Sequence, residues 1–180
     1  PSVVSASGAV TFTIQGVATG SSTEGVTTDV TTTATAISFG SLSLGVDRNA
    51  AQRLTVSTNA TEGYQMLMYE RQNLTAGGGA SISDITGTNA TPSTWVAGCL
   101  VSAQSCYGYH AGDNTLAGGS TRFLLNDTYA ALDGSLAEVA YSSGPVSTES
   151  TDIVYRIRAN VSQPAGVYES KVVYIVVPVF

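Results

Sequence analysis

Residues 1–17, PSVVSASGAVTFTIQGV, alternate between apolar and polar side chains, and this pattern decides the fold expected for the chain. Every second position is apolar or glycine, in the series Val4, Ala6, Gly8, Val10, Phe12 and Ile14. A period of two is typical of a β-strand with one buried face and one face in water. At about 3.3 Å per residue, residues 1–14 would span roughly 45 Å, which is enough to reach past a single domain.

The residues that follow divide the chain into an extension, a hinge and a main domain. Residues 19–25 are rich in Gly, Ser and Thr, which predicts a hinge. Residues 1–18 would then be an N-terminal donor strand that completes the sheet of a neighbouring subunit, and residues 26–180 would form the globular domain. The periodicity leaves one alternative open, in which residues 1–14 are the first strand of a self-contained sandwich.

The composition is that of a charge-poor, exported chain. Apolar residues make up 43% of the 180 residues and charged residues only 11%, so Ser, Thr and Gly supply most of the polarity. The net charge of -6, with basic residues scattered, argues against nucleic-acid binding, which needs clustered Lys and Arg. No run of about eighteen apolar residues occurs, so membrane insertion is not expected. Because the chain begins at Pro1 rather than Met, we expect a mature form whose export signal has been removed.

Strand-like segments recur along the main domain at the spacing of an all-β sandwich. The predicted strands cover residues 26–38, 52–58, 64–71, 121–125, 136–141, 152–161 and 166–180. Residues 52–58 and 64–71 flank a turn and look like a β-hairpin. Residues 72–119 are glycine-rich and lack strong periodicity, which predicts a loop-rich insertion with some short strands.

The residue types that catalysis or metal binding requires are not grouped in the sequence. His110 is the only histidine, and its neighbour Asp113 completes no nucleophile motif such as GxSxG. The acidic residues are dispersed, and only Asp113-Asn114 or Asp127 could join a calcium site in a loop. We therefore expect no enzyme activity, no cofactor and no metal.

Two features of the insertion point to export and to recognition. Cys99 and Cys106 enclose six residues and are expected to form a disulfide, which fits an oxidising, extracellular setting. A bridge of this span contributes roughly 2.5 kcal/mol. Trp95, Tyr107 and Tyr109 could form a flat platform that stacks on sugars, or they could pack the loop onto the domain.

Asparagine and lysine positions leave two further alternatives. Five of the seven asparagines begin an Asn-X-Ser/Thr sequon, and they are Asn59, Asn73, Asn89, Asn126 and Asn160. These sequons predict either N-glycosylation or the Asn-Thr preference of β-turns. Lys171 could form a side-chain crosslink with an asparagine, as in some surface adhesins, or be an exposed strand lysine.

Several stretches resemble donor-strand-exchange pilins. GAVTFTIQGV (8–17) is similar to the opening of chaperone–usher pilins. ISFGSLSLG (37–45), GYQMLMY (63–69) and QPAGVYESKVVYIVVPVF (163–180) resemble spore coat U-like pilins. TNATEGYQ, TGTNATPSTW and the C-terminal run also resemble uncharacterised secreted bacterial β-sandwich proteins. The likeness covers about half of the chain. The cysteines depart from the pilin pattern, which places one soon after the donor segment.

The resemblance implies an immunoglobulin-like, pilin-like β-sandwich that lacks one strand and receives it from the preceding subunit. The inward-facing donor residues would be Val4, Ala6, Gly8, Val10, Phe12 and Ile14. Tyr174, Val176 and Phe180 would border the acceptor groove. The implied function is that of a structural subunit of an extracellular filament, with copies of itself as partners. The alternative is a monomeric cell-surface binding domain that recognises glycan or protein through residues 72–119.

Overall fold

The computed structural model of the chain describes residues 8–100 and 104–180. Strands dominate these residues, so the predicted all-β fold is confirmed, and a one-turn helix, α1 (Trp95–Gly98), follows β8. In chain order the strands are β1 (Val10–Gly16), β2 (Ser22–Thr23), β3 (Val26–Thr27), β4 (Asp47–Thr58), β5 (Tyr64–Glu70), β6 (Thr75–Ala76), β7 (Ser83–Asp84), β8 (Ser93–Thr94), β9 (Cys106–Ala111), β10 (Thr128–Tyr129), β11 (Ala137–Ser142), β12 (Val146–Arg158), β13 (Tyr168–Glu169) and β14 (Val172–Pro178).

Two sheets enclose the main hydrophobic core. The larger sheet has the order β1-β4-β12-β9-β7 and the smaller sheet the order β11-β5-β14. Both contribute alternate side chains to the core, such as Leu54 and Val56 from β4 and Met66 and Met68 from β5. The order matches strands A-B-E-D of an immunoglobulin-like sandwich in one sheet and C-F in the other. Among the described residues, no strand occupies the G position beside β14.

The segments on either side of residue 60 do not form the predicted hairpin. β4 lies in the larger sheet and β5 in the smaller one, although the turn between them is short. The reason is that β1 and β12 already occupy both edges of β4. Gly63 lies where the chain crosses from the larger sheet to the smaller one, and its φ is 75°. A Cβ there would lie 2.0 Å from the carbonyl oxygen of Ser142, so only glycine fits the crossing.

The insertion at residues 72–119 is partly a core element rather than a loop. It contains β9, which pairs with β12 in the larger sheet and is buried along its whole length. β9 is buried on both faces because residues of the insertion cover the outer face of that sheet. A second hydrophobic cluster forms there between residues of the insertion and residues of β4, β10 and β12, and it consists of Ala51, Ile85, Trp95, Cys99, Cys106, Tyr129 and Val154.

Two other predicted strands are largely irregular. Only Val26–Thr27 of residues 26–38 is a strand, because the threonine hydroxyls there bond the backbone directly. The Thr28 hydroxyl, for example, donates to the Ala18 carbonyl oxygen at 2.6 Å. Residues 121–125 form no strand, and Phe123 has a left-handed backbone with φ of 54°.

The predicted hinge at residues 19–25 is a hairpin that is bonded to the domain. β2 and β3 pair across a two-residue turn in which Glu24 and Gly25 have φ of 44° and 74°. The Thr23 hydroxyl donates to the Asp152 carboxylate at 2.7 Å. The Asp152 carboxylate is buried and also accepts a bond from the half-exposed Arg53 side chain at 2.7 Å, so the hairpin is anchored to the domain and is not a free linker.

Candidate functional site

The N-terminal strand β1 completes the larger sheet of its own molecule. It pairs antiparallel with β4, with Phe12 opposite Val56 and Ile14 opposite Leu54. Phe12 and Ile14 pack against the main core, and Val10 is 36% exposed. The sequence predicted these residues as a donor to a neighbour. In the single chain they lie in cis, because β4 offers an edge within reach. The donor residues Val4 and Ala6 lie outside the described residues.

The C-terminal strand β14 pairs with β5 along one edge only. Its register places Val172 opposite Glu70 and Pro178 opposite Tyr64. The Arg71 N–H donates to the Lys171 carbonyl oxygen at 3.0 Å, and the Val179 N–H donates to the Gly63 carbonyl oxygen at 2.9 Å. Odd-numbered residues therefore bond to β5, since antiparallel pairs alternate in their hydrogen bonding.

The even-numbered residues of β14 direct their backbone groups to the opposite edge. They are Val172, Tyr174 and Val176, with an N–H and a C=O each, and Pro178, which has only a C=O. Within residues 8–100 and 104–180, no strand pairs with this edge. Tyr174 and Val176 are among the residues that the sequence resemblance predicts at the border of the acceptor groove. Val172 is not among them, although it continues the same period of two.

β1 faces β14 across one side of the sandwich. The Phe12 and Tyr174 rings meet edge to face with centroids 6.4 Å apart. A Cβ on Gly8 would lie 2.0 Å from a Phe180 ring carbon, so the backbone at residue 8 lies directly against that ring. These two contacts align β1 antiparallel to β14. We call the space between Val10–Ile14 and Val172–Val176 the β1–β14 seam.

The β1 side of the seam also presents backbone groups that no strand of residues 8–100 and 104–180 pairs with. The Asn59 N–H donates to the Ala9 carbonyl oxygen at 3.3 Å, so the odd-numbered residues of β1 bond to β4. Val10, Phe12 and Ile14 therefore direct their N–H and C=O groups into the seam. The structure thus brings the predicted donor residues 10–14 and the predicted acceptor residues Tyr174 and Val176 together in one molecule.

Tyr174 fastens β14 to the larger sheet below the seam. Its hydroxyl donates to Gln52 Oε1 on β4 at 3.1 Å and contacts the Tyr155 hydroxyl on β12. Gln52 in turn donates from Nε2 to the Thr33 carbonyl oxygen at 2.7 Å. Burial raises the pKa of Tyr174, so the phenol stays neutral and serves as a hydrogen-bonding group.

The exposed part of β14 is unusually apolar for an edge strand. Ile175 and Val177 point away from the core and are 38% and 41% exposed, and Phe180 is 68% exposed. Proteins protect such edges with prolines, charges or covering loops. Here Lys171 precedes the strand and Pro178 ends it, whereas residues 172–177 carry no charge. The strand is therefore a suitable template for a further β-strand.

Of the two alternatives for the aromatic residues of the insertion, the structure shows packing onto the domain, because the rings are in the interior. Trp95, Tyr107 and Tyr109 are exposed by 1%, 4% and 0%. Trp95 packs edge to face on Tyr129 at 5.2 Å and lies under the Arg156 guanidinium at 4.9 Å. Tyr107 stacks on Tyr155 with centroids 6.1 Å apart. These aromatic faces are occupied by protein and are not available to a ligand.

The predicted disulfide between Cys99 and Cys106 is confirmed. Their Cα atoms are 5.8 Å apart, and both residues belong to the cluster around Trp95. The bridge links the residue after α1 to the first residue of β9. It therefore fastens residues 85–99, which we call the covering segment, to the outer face of the larger sheet. A buried bridge of this kind suits an oxidising compartment.

His110 and Asp113 do not form a catalytic pair. His110 is buried on β9, where Nδ1 lies 2.8 Å from the Thr128 carbonyl oxygen. Burial lowers the pKa of His110, which keeps the ring neutral. The Asp113 carboxylate accepts the N–H groups of Thr115 at 3.0 Å and Tyr141 at 2.8 Å.

The acidic residues do not assemble a metal site in the part of the chain that the structure describes. No group of three His, Cys, Asp or Glu residues there could hold a metal ion. Asp127, one of the residues considered for a calcium loop, instead accepts a bond from Arg156 at 3.2 Å. Asn114, the other, is exposed next to the capped Asp113.

The sequon asparagines differ in their surroundings. Asn73 and Asn126 are exposed. Asn89 is held on both sides of its amide, since Oδ1 accepts the Tyr109 hydroxyl and Nδ2 donates to the Glu138 carbonyl oxygen at 3.3 Å. The remaining two accept backbone bonds at Oδ1, Asn59 from the Ala9 N–H beside β1 and Asn160 from the Ser162 N–H two residues later, each at 2.7 Å.

No protein-family model matches the chain, and no curated protein is significantly similar to it. Within the described residues, no helix is long and apolar enough to span a bilayer.

Proposed function

We propose that the chain is a structural subunit of an extracellular filament, and that copies join head to tail by adding a β-strand to the open edge of β14. The observation that carries the proposal is the apolar edge of residues 172–178, with which no strand of the described residues pairs. A monomer with such an edge would be prone to pair with other chains. In a subunit built to polymerise, that edge is the acceptor.

The backbone groups of this edge can hold a strand firmly. Three N–H and four C=O groups of Val172, Tyr174, Val176 and Pro178 face outward. At roughly 0.5–1.5 kcal/mol for each hydrogen bond, a full ladder contributes on the order of 5 kcal/mol. Pro178 has no N–H, so the hydrogen-bond ladder to an incoming strand would end at this residue, at the C-terminal end of β14.

The donor is the segment that precedes β1. Val10, Phe12 and Ile14 are in the sheet of their own chain, and we therefore assign the donor role to residues 1–8, in which Val4, Ala6 and Gly8 belong to the same period of two in the sequence. A segment of eight residues matches the seven of β14 in length. Burying Val4 would add roughly 1.5–3 kcal/mol.

The contact would propagate because its two halves are different surfaces. One copy contributes the segment before β1 and the next contributes the edge of β14. Such a heterologous contact builds open fibres when the rotation between copies does not close into a ring. The buried disulfide and the low charge content support an extracellular location for the fibre.

The test compares the whole chain with a variant that lacks residues 1–8. The variant keeps β1, so we expect it to fold with an unchanged circular dichroism spectrum but to stay monomeric by light scattering. The whole chain should form fibres in negative-stain microscopy at high concentration. A synthetic peptide of residues 1–8 should bind the truncated chain, and the same peptide with Val4→Asp should bind at least tenfold more weakly.

An acceptor variant makes the test independent of the donor. In Val176→Pro the missing N–H is one that faces the seam, so the ladder to β5 is kept while an incoming strand is blocked. We expect a folded monomer that no longer polymerises. A whole chain that remains monomeric at high concentration, or a truncated chain that still polymerises, would refute the proposal.

A further inference from the structure

Glu70 is a buried carboxylate at the end of the sandwich where β5 ends and β14 begins. It continues the inward-facing series Tyr64, Met66 and Met68 of β5, and it is only 1% exposed. Its N–H donates to the Asp133 carbonyl oxygen at 2.8 Å. Both carboxylate oxygens are buried, and neither has a hydrogen-bond partner among the described residues.

The groups that face Glu70 do not neutralise a negative charge. Asp84 on β7 is the acid whose charge acts on Glu70, and its Oδ1 is likewise buried without a partner in the described chain. The Ser170 hydroxyl is close enough to lower the pKa of Glu70, but it donates to the Gln72 carbonyl oxygen at 2.7 Å. The other titratable or charged groups around this end are Arg71, Tyr107, Asp133, Glu169 and Lys171.

None of these groups supplies a cation to the pair. Arg71 and Lys171 are exposed at the strand ends, and neither carboxylate takes part in an ion pair of the described residues. Two carboxylates are also too few for a metal ion, and the described residues hold no group of three that could bind one. The positive charge that remains to neutralise a buried carboxylate here is a proton.

We propose that Glu70 and Asp84 form a proton-dependent latch at this end of the sandwich. With Glu70 protonated, the end stays dry and closed. When Glu70 loses its proton to water, two like charges face each other in the interior and the end must open to hydrate them. This inference does not depend on the filament proposal, since it concerns the single subunit.

The ionisation of both acids supports the latch. Burial, reinforced by Asp84, raises the pKa of Glu70 to about 8. Burial and Asp133 raise the pKa of Asp84 to about 6, against an opposing bond from the Leu132 N–H. Because the folded pKa of Glu70 lies above its ordinary value of 4.5, the stabilisation is complete below that value and is lost as the pH rises through about 8.

The part of the fold that opens is the short ladder of β6 and β13. Residues 71–74 lead from Glu70 into β6, and residues 170–171 lead from β13 into β14. This ladder consists of two residue pairs, Tyr168 with Ala76 and Glu169 with Thr75. A ladder this short is a local unit that can separate without unfolding the sandwich.

The test follows the unfolding temperature of the whole chain from pH 5 to pH 9.5. We expect the wild type to lose roughly 5 °C or more between pH 6 and pH 9. Glu70→Gln should lose far less over this range, because a neutral amide replaces the ionising group. The matched control is Glu169→Gln, an exposed acid nearby, which should follow the wild type.

Two measurements keep the inference testable if Glu70→Gln folds poorly. Carbon NMR of the wild-type side chain should show Glu70 titrating well above pH 6, and Asp84→Asn should move that titration to lower pH. Hydrogen exchange at residues 75–76 and 168–173, corrected for intrinsic rates, should accelerate at pH 9 in the wild type. A Glu70 that titrates near pH 4.5, or a Glu70→Gln variant with the pH dependence of the wild type, would overturn the latch.

Discussion

Tyr174→Phe tests the attachment of β14 to the larger sheet. The substitution keeps the ring and its edge contact with Phe12, and removes only the hydroxyl. Gln52 Oε1 then loses the donor at 3.1 Å, and the Tyr155 hydroxyl loses its contact with Tyr174. Gln52 is 4% exposed, so water cannot replace the lost bond without entering the core.

The expected loss follows from leaving these buried polar groups incompletely paired. A buried group that loses its partner costs about 1–3 kcal/mol. For a chain of this length, a loss of about 2 kcal/mol lowers the unfolding temperature by roughly 4–8 °C. The Tyr155 hydroxyl keeps its contact with Met68 Sδ at 3.3 Å and so is not left without a partner. The loss of unfolding free energy should therefore lie in the lower half of the range of about 1–3 kcal/mol.

Differential scanning calorimetry of Tyr174→Phe measures this loss directly. The matched control is Tyr69→Phe, since Tyr69 points outward from β5 and is opposite Val173. The control should change the unfolding temperature by no more than about 1 °C, as surface substitutions usually do. If both variants shifted by the same amount, the hydroxyl network would not fasten β14, and the account of the seam would need revision.

Three further predictions concern the Cys99–Cys106 disulfide, the turn of the β2–β3 hairpin and the buried His110. Cys99→Ser with Cys106→Ser should lower the free energy of unfolding by roughly 2.5 kcal/mol, measured by urea denaturation, and added reductant should no longer affect the doubly substituted chain. Glu24→Asn places Asn-Gly in a turn where both residues have positive φ, so it should raise the free energy of unfolding by about 1 kcal/mol, and an unchanged urea midpoint would contradict this. In a proton NMR titration, His110 should titrate below its ordinary pKa of 6.5. Because its folded pKa is lowered, its contribution to stability should decline as the pH falls below about 6.5, and a ring that titrates at its ordinary value would count against the buried neutral form.

Much of the fold was predictable because it depends on local patterns. The alternation in residues 64–71, 136–141 and 152–161 identified β5, β11 and the second half of β12. The same rule failed for residues 26–38, where threonine hydroxyls bond to the backbone instead of leaving it to a ladder. It also missed β9, since CYGYHA is buried on both faces and so shows no alternation.

The candidate site was predictable only in part. Tyr174 and Val176 were identified as the borders of an acceptor groove, and both direct backbone groups into the seam. The sequence could not reveal that Gln52 and Tyr155 hold Tyr174, because those residues are 122 and 19 positions away along the chain. Nor could it show that the charge of Asp84 acts on Glu70, because β5 and β7 belong to different sheets.

The sequence by itself determined that this chain forms β-strands, which side chains of strands such as β1 and β14 face the core, and that Cys99 can bond to Cys106. The tertiary structure alone decided that β1 pairs with β4 of its own chain and that the outer edge of β14 has no strand beside it among the described residues. The physical reason is that a period of two specifies the face of a strand that leaves water, whereas edges are assigned by competition among strands far apart in the chain. A strand pairs with whichever edge the rest of the fold leaves open, so the sequence of a single segment is not enough to predict its pairing partner.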